Sequence, residues 1–294
     1  MMKKYDTLVV GPISLDINID YQNNVEKEVG GAVVQSGWSA ASSGAKTAIF
    51  TKLNTKDASI EKVFEGSGAD LFCKESAQTT SIHNQYFTAD KERRACKALG
   101  QCEAFTFDEL PEIDTAIYHF AGLMVGDFDG ELIKAASEKG AVAVDVQCLL
   151  RTVMPDGTMQ FFDYADKKDV FPYITYLKTD AAEAEILTGL SDRFEAAKVL
   201  YSYGAKEIMI SHNTEILVYD GKEFYTCPIK ARSLVGRSGR GDTTFAAYIC
   251  ERRQADIPTA LQYATACVSL KMETPGPFKG THADVEAYIE EFYK

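Results

Sequence analysis

From residue 115 to the C-terminus, the sequence alternates between short apolar runs and longer segments with a helical pattern. The runs TAIYHFAG, AVAVDVQ, ITYLKTD and KEIMISH are typical of buried strands, and segments such as ELIKAASEKG and FEAAKVLYSYG are typical of helices. TLVVG and TAIFTKL predict two more strands near the N-terminus. Repeated strand–helix units favour a mainly parallel sheet covered by helices on both faces. We therefore predict a three-layer α/β/α fold that forms a single domain over residues 1–294.

Two polar ribbons do not fit inside such a sheet. DINID and VEKEVGG flank the turn residues QNN, and residues 81–100 repeat the pattern around a second polar turn. Alternating polar and apolar residues on both sides of a turn predict antiparallel strands with one wet face. We expect these ribbons to form a small β-sheet lid from residues 14–30 and 73–107.

Charge and cysteine content exclude several classes of protein. A net charge of −12 repels nucleic acid and anionic membranes, so neither is an expected partner. The seven cysteines are widely spaced and include no C-x-x-C pair, which is typical of reduced thiols in a cytoplasmic protein. The N-terminus has no apolar signal region, and no run of about 18 apolar residues predicts a membrane span. The expected location is the cytoplasm.

GRSGRGDTTFAAYI, residues 236–249, is the segment with the most chemical content. It contains the cell-adhesion tripeptide Arg-Gly-Asp, a remote interpretation for a chain without a secretory signal. A plain helix start capped by Asp242 is the simple structural alternative. The functional interpretation is an anion site, because free N–H groups at a helix start favour negative charge. Gly239, Arg240 and Gly241 would then hold a phosphoryl group, and Asp242 would accept the proton of an attacking hydroxyl.

This loop resembles the C-terminal signature D-T-x-G-A-G-D of the ribokinase-like (PfkB) carbohydrate kinase family. Gly30, Gly31 and Gln35 resemble that family's G-G-x-x-x-N segment, and Asp16 stands where the family has an early substrate-binding aspartate. The resemblance runs in the family's order from residue 5 to about 280. It implies a ribokinase-like, Rossmann-type fold with a β lid, and it assigns Asp16, Gly30, Gly31 and Gln35 to the acceptor's hydroxyls.

The resemblance also implies a nucleotide and magnesium network. Asp180 and Glu183 in DAAEAEILTG resemble an N-x-x-E segment, although a helix cap with first-turn acids explains them equally well. Ser211 is the second residue of ISHNTEI, which replaces the family's glycine-rich nucleotide segment, and SLKMETPGP resembles the segment near the adenine pocket. ATP and Mg²⁺ are the implied cofactors. Mg²⁺ would bridge the β- and γ-phosphates, with no direct protein ligand.

Several departures from the family pattern change the expectation. Gly236 replaces an aspartate that helps hold a monovalent cation in many members, so potassium activation is doubtful. Arg240 replaces a small residue, and its side chain either adds positive charge to the phosphoryl group or points to solvent. Asp145, Gln147 and Arg151 resemble the D-x-Q-x-x-x-R run of a plant inositol 3-kinase-like branch, which favours a polyol or cyclitol.

We therefore predict ATP-dependent phosphorylation of a hydroxyl on a small sugar or polyol, with Asp242 as base. A nucleoside kinase of the same fold and an inactive sugar or nucleotide sensor are the alternatives. A homodimer formed through the lid is left open. The four histidines show no metal-ligand spacing, and Trp38 is an expected core residue.

Overall fold

The computed structural model describes residues 2–88 and 93–294 of the chain. The strands are β1 (Lys4–Val10), β2 (Ser14–Ile19), β3 (Val25–Gly30), β4 (Thr47–Leu53), β5 (Asp70–Glu75), β6 (Ser81–Tyr86), β7 (Arg94–Gly100), β8 (Asp114–Phe120), β9 (Ala141–Asp145), β10 (Arg151–Val153), β11 (Met159–Phe161), β12 (Tyr176–Asp180), β13 (Glu207–Ser211), β14 (Glu215–Tyr219) and β15 (Phe224–Pro228). The helices are α1 (Ala32–Ser42), α2 (Gly130–Ser137), α3 (Gln147–Leu150), α4 (Lys167–Val170), α5 (Ala181–Thr188), α6 (Arg193–Ser202), α7 (Arg240–Glu251), α8 (Ile257–Lys271) and α9 (His282–Phe292). Short 3-10 segments span Thr55–Phe64, Phe107–Glu109 and Phe171–Tyr173.

The main sheet has nine described strands in the order β15-β14-β13-β12-β9-β8-β1-β4-β5. The pairings from β13 to β5 are parallel, while β14 and β15 pair antiparallel at one edge. The Asp220–Gly221 turn joins β14 to β15, as its Asp-Gly sequence predicts. The predicted mainly parallel sheet is confirmed.

Helices cover both faces of this sheet because its strands are apolar on both sides. In β1, Val9 packs in a cluster with residues of α1, α7 and α8, whereas Leu8 and Val10 pack with residues of α2, α5 and α6. Successive side chains of a strand point to opposite faces, so one apolar run supplies both cores. The three-layer α/β/α prediction is confirmed.

A separate four-stranded sheet, which we call the lid, has the order β3-β2-β6-β7. Both predicted ribbons are present, since β2–β3 and β6–β7 are antiparallel pairs. They join through parallel pairing of β2 with β6, where Ile17 lies beside His83. The predicted polar turn between β6 and β7 includes residues 89–92, which lie outside the described part of the chain.

The lid is shorter than its predicted second segment, residues 73–107. Residues 73–75 belong to β5, an edge strand of the main sheet that pairs in parallel with β4. The pattern of β5 did not predict a strand because this edge is only partly covered and its last three residues are exposed. The small β10–β11 hairpin was also not predicted; it contacts the lid through a bridge between Thr158 and Lys97.

The carboxyl ends of the central strands bring polar residues to one edge of the sheet. β9 ends at Asp145, β12 at Asp180 and β13 at Ser211. In register, Lys178 lies beside Asp145, and Asp180 lies beside Ser211. Ligands of open α/β sheets bind outside this edge, so the site is sought here.

Two further findings concern the whole chain. All seven cysteines are free thiols, five of them buried. Across the described residues, the helices are too short or too polar for any of them to cross a bilayer.

Candidate active site

The segment before α7 is held by close contacts on both sides. Gly239 has a φ of +77°, and a side chain there would come within 2.4 Å of Gln35 on α1. A side chain at Gly241 would lie 3.0 Å from Lys178 Nζ on β12. Only glycine permits these approaches, since it has no Cβ. The loop is therefore pressed between α1 and the end of β12.

Helix α7 begins at Arg240, so its first N–H groups belong to Arg240, Gly241 and Asp242. The first N–H groups of a helix have no partner within the helix. Arg240 N–H donates to the Arg237 carbonyl at 3.3 Å. The Arg-Gly-Asp tripeptide thus forms the first turn of a partly buried helix, which does not support the adhesion interpretation.

Lys271 on α8 anchors this loop through hydrogen bonds to its backbone. Its side chain is 1% exposed, and its Nζ donates to the Gly236 carbonyl at 2.6 Å and also to the Ser238 carbonyl. Burial lowers the pKa of Lys271 to about 8, against the opposing effect of the Asp242 carboxylate. A side chain at Gly236 would clash with the Thr274 carbonyl oxygen, so only glycine fits at this position.

Asp242 lies in the first turn of α7, facing two cations. Burial raises the pKa of Asp242 to about 6, and the Asp145 carboxylate adds to that effect, while the ammonium groups of Lys178 and Lys271 oppose it. A carboxyl group with this pKa is ionised at neutral pH and is a stronger base than an ordinary aspartate. The environment of Asp242 suits a proton acceptor.

Lys178 is part of a buried ion pair with Asp145. Lys178 Nζ lies 2.7 Å from Asp145 Oδ2, and both side chains are less than 10% exposed. Burial acts to lower the pKa of Lys178, but the nearby carboxylates, first Asp145, raise it above its ordinary value. Lys178 therefore stays charged beside the start of α7.

Two cavities meet at Asp242. The lid-side cavity has a volume of about 120 Å³ and the loop-side cavity about 270 Å³. The lid-side cavity is lined by Asp16, Asn18, Glu28, Gly30, Gly31, Ala32, Gln35, Ile82, Asn84, Tyr86, Arg94, Leu123, Gln147, Arg151, Ser238, Gly239 and Asp242. The loop-side cavity is lined by Tyr86, Arg94, Asp145, Gln147, Lys178, Asp180, Ser211, Arg237, Ser238, Gly239, Arg240, Gly241 and Asp242.

The lid-side cavity contains every residue that the sequence assigned to an acceptor. Asp16 Oδ1 accepts from Ile82 N–H at 3.0 Å, and burial raises the pKa of Asp16 to about 6. Gln35 is 8% exposed, and among the described residues its Oε1 has no hydrogen-bond partner. Gly31 has a φ of +103° and turns the chain from β3 into α1. An unpaired buried oxygen is costly, so this cavity suits a hydroxyl-rich ligand.

The loop-side cavity is lined by several cations. Asn213 Oδ1 accepts from Nη2 of Arg240 and, at 3.4 Å, from Nη2 of Arg237. Arg240 lines the loop-side cavity, and this hydrogen bond holds its side chain against the 211–216 segment. The placement favours the role of adding positive charge to the phosphoryl group over a side chain that points to solvent. Ser211 also lines this cavity, and its Oγ donates to the Thr179 carbonyl at 3.4 Å.

Asp180 and Glu183 form the helix cap that the sequence allowed as an alternative. Asp180 Oδ1 accepts from Glu183 N–H at 2.8 Å, and Glu183 Oε2 accepts from Asp180 N–H at 2.9 Å. Asp180 also lines the loop-side cavity, whereas buried Glu183 does not. Burial raises the pKa of Glu183. Of the pair, Asp180 is the residue positioned to meet a ligand.

Sequence reasoning missed four residues of this site: Tyr86, Arg94, Lys178 and Lys271. A lysine at the end of the apolar run ITYLKTD was a usable signal, because a buried charge needs a partner. The other three lie on the lid or on α8, and no local pattern connects them with the loop. None of the four histidines lines either cavity. Trp38 packs in the core, as predicted.

Known proteins resemble this chain in sequence and in fold. The model of the pfkB family carbohydrate kinases matches residues 7–283. A cytidine kinase from Thermococcus kodakarensis is 25% identical over 248 residues, which cover 81% of this chain and 84% of that protein.

Solved structures give a closer match. A pyrophosphate-dependent kinase in the ribokinase family, complexed with a pyrophosphate analogue and myo-inositol, is 31% identical, with a TM-score of 0.88 over 96% of this chain and 99% of that one. A pyrophosphate-dependent myo-inositol-1 kinase, converted into a myo-inositol-3 kinase by two substitutions, is 29% identical, with a TM-score of 0.87 over 98% and 100%. Arabidopsis thaliana ribokinase with ribose and ATP is 16% identical, with a TM-score of 0.79 over 98% and 99%, which shows the fold alone.

Proposed function

The chain belongs to the pfkB family of carbohydrate kinases, and from this premise we propose that it phosphorylates a hydroxyl group of a cyclitol such as myo-inositol. The observation that carries the proposal is the position of Asp242 where a small polar cavity meets a cation-lined one. A base at this junction reaches the acceptor and the phosphoryl group together. The 29–31% identical structures, described with myo-inositol or as inositol kinases, support the same acceptor class.

In this proposal the lid-side cavity holds the acceptor. The Asp16 carboxylate and Gln35 Oε1 accept hydrogen bonds from its hydroxyl groups, and the Gly30–Gly31 turn lets the ring approach the backbone. The polar side chains that line this cavity favour a hydroxyl-rich ring over the flat base of a nucleoside. A nucleoside kinase, the second candidate, rests on the cytidine kinase relative alone.

The reaction is an in-line phosphoryl transfer. The acceptor oxygen forms a bond to the terminal phosphorus of the donor and gives its proton to the Asp242 carboxylate. The bond from that phosphorus to the leaving phosphate breaks, and its electron pair stays on the leaving oxygen. The N–H groups at the start of α7 and the side chains of Lys178 and Arg240 neutralise charge on the phosphoryl oxygens.

Magnesium fits this site only through the donor. Among the described residues, no group of three or more His, Cys, Asp or Glu side chains could hold a metal ion. Three carboxylates line the loop-side cavity. Asp145 is paired with Lys178 and Asp242 is the base, so Asp180 is the one that would hold Mg²⁺, directly or through water. When bound, Mg²⁺ would neutralise charge on the donor's phosphates.

For the donor, we propose inorganic pyrophosphate, with ATP as the alternative that the sequence predicted. The segment SLKMETPGP, which resembles the family's segment near the adenine pocket, contributes Leu270 and residues 273–277 to a separate cavity of about 720 Å³. That cavity shares no lining residue with the loop-side cavity. Arg237 and Arg240 both line the loop-side cavity, and their positive charge suits a donor made of phosphates alone. The pyrophosphate-dependent kinases at 29–31% identity support the same choice.

We further propose that turnover needs no added monovalent cation. The Lys271 ammonium group already lies between two loop carbonyls, where it supplies a fixed positive charge. Replacing sodium and potassium by a bulky organic cation should leave the rate unchanged. A severalfold loss of rate would contradict this role.

A homodimer through the lid is a separate proposal. Val25, Phe87 and Leu99, on or next to lid strands, are each more than half exposed. β3 and β7 are the lid's edge strands, and edge strands with exposed apolar residues pair readily. Light scattering at several protein concentrations tests it: a monomer mass throughout rules it out.

The deciding experiment measures product formation with pyrophosphate and with ATP, each with Mg²⁺, across cyclitols, sugars and nucleosides. Mass spectrometry of the acceptor and assay of the released phosphate or ADP identify both substrates. We expect myo-inositol phosphate from pyrophosphate. Turnover with ATP alone would reject the donor proposal, and turnover with cytidine alone would reject the acceptor. If no donor and acceptor pair gave product while a ligand still raised the Tm, the result would favour the sensor alternative.

A further inference from the structure

The two cavities share a wall of six residues. The shared residues are Tyr86, Arg94, Gln147, Ser238, Gly239 and Asp242. Two of them are charged: Asp242, on the main domain, and Arg94, on the lid. The proposed function uses the anion of this pair and leaves the cation without a role. A reacting group that passes from one cavity to the other must pass both.

Arg94 reaches this wall from the first residue of β7. It pairs in register with Tyr86 on β6, and its Nη1 lies 3.5 Å from the Tyr86 hydroxyl oxygen. A guanidinium group has five N–H donors in a planar fork, which suits two oxygens of one phosphoryl group. The Tyr86 contact orients the fork and uses one donor.

Local charges do not explain Arg94 as a simple structural ion pair. The described salt bridges do not include it, although Asp16 is close enough to interact electrostatically. The acid groups of the wall and of the lid-side cavity, Asp16, Glu28 and Asp242, are ones that the proposed function already uses or that lie at the acceptor. A cation aimed at a junction of two substrate cavities is matched by an anion that comes with the substrates.

Resting on the proposed function, we infer that Arg94 is a catalytic residue that binds the phosphoryl group during its transfer. As the new bond to the acceptor oxygen forms and the bond to the leaving phosphate breaks, the three equatorial oxygens of the phosphoryl group stay negatively charged. The start of α7 binds them from the main domain, and the Arg94 guanidinium binds them from the lid. No proton or electron moves to or from Arg94. The lid thus takes part in the chemistry as well as covering the acceptor.

The test compares Arg94→Ala and Arg94→Lys with Arg93→Ala. Arg93 is its neighbour in sequence and is exposed, as Arg94 is, but Arg93 lines neither cavity. We expect Arg94→Ala to lower kcat by about 10²- to 10³-fold, the usual loss for one donor to a reacting group, with acceptor KM changed less than about threefold. Arg94→Lys should recover part of the rate, because an ammonium group supplies charge without the fork. Arg93→Ala should keep wild-type kinetics.

Chemical rescue separates chemistry from folding. Adding guanidinium or methylguanidinium at millimolar concentration should restore part of the Arg94→Ala rate and leave Arg93→Ala and the wild type unchanged. A kcat within threefold of wild type, or a loss confined to acceptor KM, would overturn the inference. So would a loss that guanidinium does not rescue in a variant whose Tm is normal.

The Asp242→Asn variant distinguishes a failure of the proposed function from a failure of the Arg94 assignment. If the wild type transfers phosphate and Asp242→Asn does not, the proposed function stands, and a fully active Arg94→Ala variant overturns the Arg94 assignment alone. A wild-type chain that turns over no donor in the panel overturns both.

Discussion

At the scale of single residues, the site depends on carboxyl groups whose burial makes them stronger bases. Asp16 lines the lid-side cavity and Asp242 lies where the two cavities meet, and burial raises the pKa of each to about 6. The ionised form of each carboxyl group is therefore less stable in the folded chain than in water. Their positions suit ligand binding better than they suit stability.

Asp242→Asn should remove most turnover and keep the fold. We expect kcat to fall by at least about 10³-fold, because the acceptor's proton then has no base. The wild-type rate should also decline as pH falls through about 6, where the Asp242 carboxylate takes up a proton. The measurement is kcat against pH for both proteins. Asp192→Asn, in the exposed cap of α6, is the matched control. Near-normal kcat in Asp242→Asn would refute the assignment.

Asp16→Asn should bind the acceptor more weakly and melt at a higher temperature. The folded pKa of about 6 lies above the ordinary value of 3.8, so the ionised group destabilises the fold at pH values above about 6, and the effect vanishes below about 4. At pH 7.5 the neutral amide removes this cost, while Asn Oδ1 can still accept from Ile82 N–H. Each kcal/mol gained would raise Tm by about 2–4 °C.

Melting curves at pH 7.5 and at pH 4 test this sign. The gain in Tm should be present at the higher pH and absent at the lower one, with acceptor KM raised. Glu26→Gln, on the exposed side of β3, is the control for removing a lid charge. A lower Tm for Asp16→Asn at pH 7.5 would mean that its carboxylate is stabilised in the fold.

At the scale of elements, the loop before α7 owes its shape to a residue 33 positions or more away. Lys271 reaches up from the end of α8 to the Gly236 and Ser238 carbonyls. These contacts fix the turn from which the first N–H groups of α7 emerge. The loop is a binding element only while that ammonium group is present and charged.

Lys271→Met should weaken the loop and with it the kinase. We expect a loss of kcat of more than tenfold and a lower Tm, since two buried carbonyls lose their donor. In the wild type, the rate should fall as pH rises through about 8, where Lys271 loses its proton. Lys222→Met, in the exposed β14–β15 turn, is the matched control. A variant with a normal alkaline limb would show that another group sets it.

Sequence patterns predicted most elements and only part of the site. The parallel strands, the helices and both lid ribbons follow from local apolar periodicity, and Asp242 follows from the glycines around it. β5 and the β10–β11 hairpin were missed because their burial comes from neighbours distant in sequence. Lys271 and Arg94 were missed for the same reason, and Lys178 was missed although a lysine in an apolar run was a usable signal. Their partners are backbone carbonyls, the Asp145 carboxylate and the Tyr86 hydroxyl, which the fold brings near.

At the scale of the whole molecule, the lid and the main sheet share the lid-side cavity. Asp16 and Arg94 come from the lid, and Gln35 and Asp242 come from helices of the main domain. A ligand in this cavity joins two sheets that otherwise have separate hydrogen-bond ladders. Substrate binding should therefore reduce local opening of the lid strands.

Hydrogen exchange should detect this coupling. Donor and acceptor together should slow amide exchange in β2, β6 and β7 by at least about threefold, because ligand contacts hold the lid on the main domain. Exchange in β4, which is buried in the main sheet and lines neither cavity, serves as the internal control. Mass spectrometry of peptides with each ligand alone and with both gives the comparison. Unchanged lid exchange with both ligands bound would contradict the coupling.

The contacts of Gly236 and Lys271 limit which substitutions either position tolerates. A side chain at position 236 would strike the Thr274 carbonyl, and the space beside it is occupied by the Lys271 ammonium group. Restoring an acid at 236 alone therefore meets a steric clash, and removing Lys271 alone leaves two carbonyls without a donor. Each single change is therefore expected to be harmful, and a double change would still have to move the Thr274 carbonyl. A chain with this glycine and this lysine is expected to keep both.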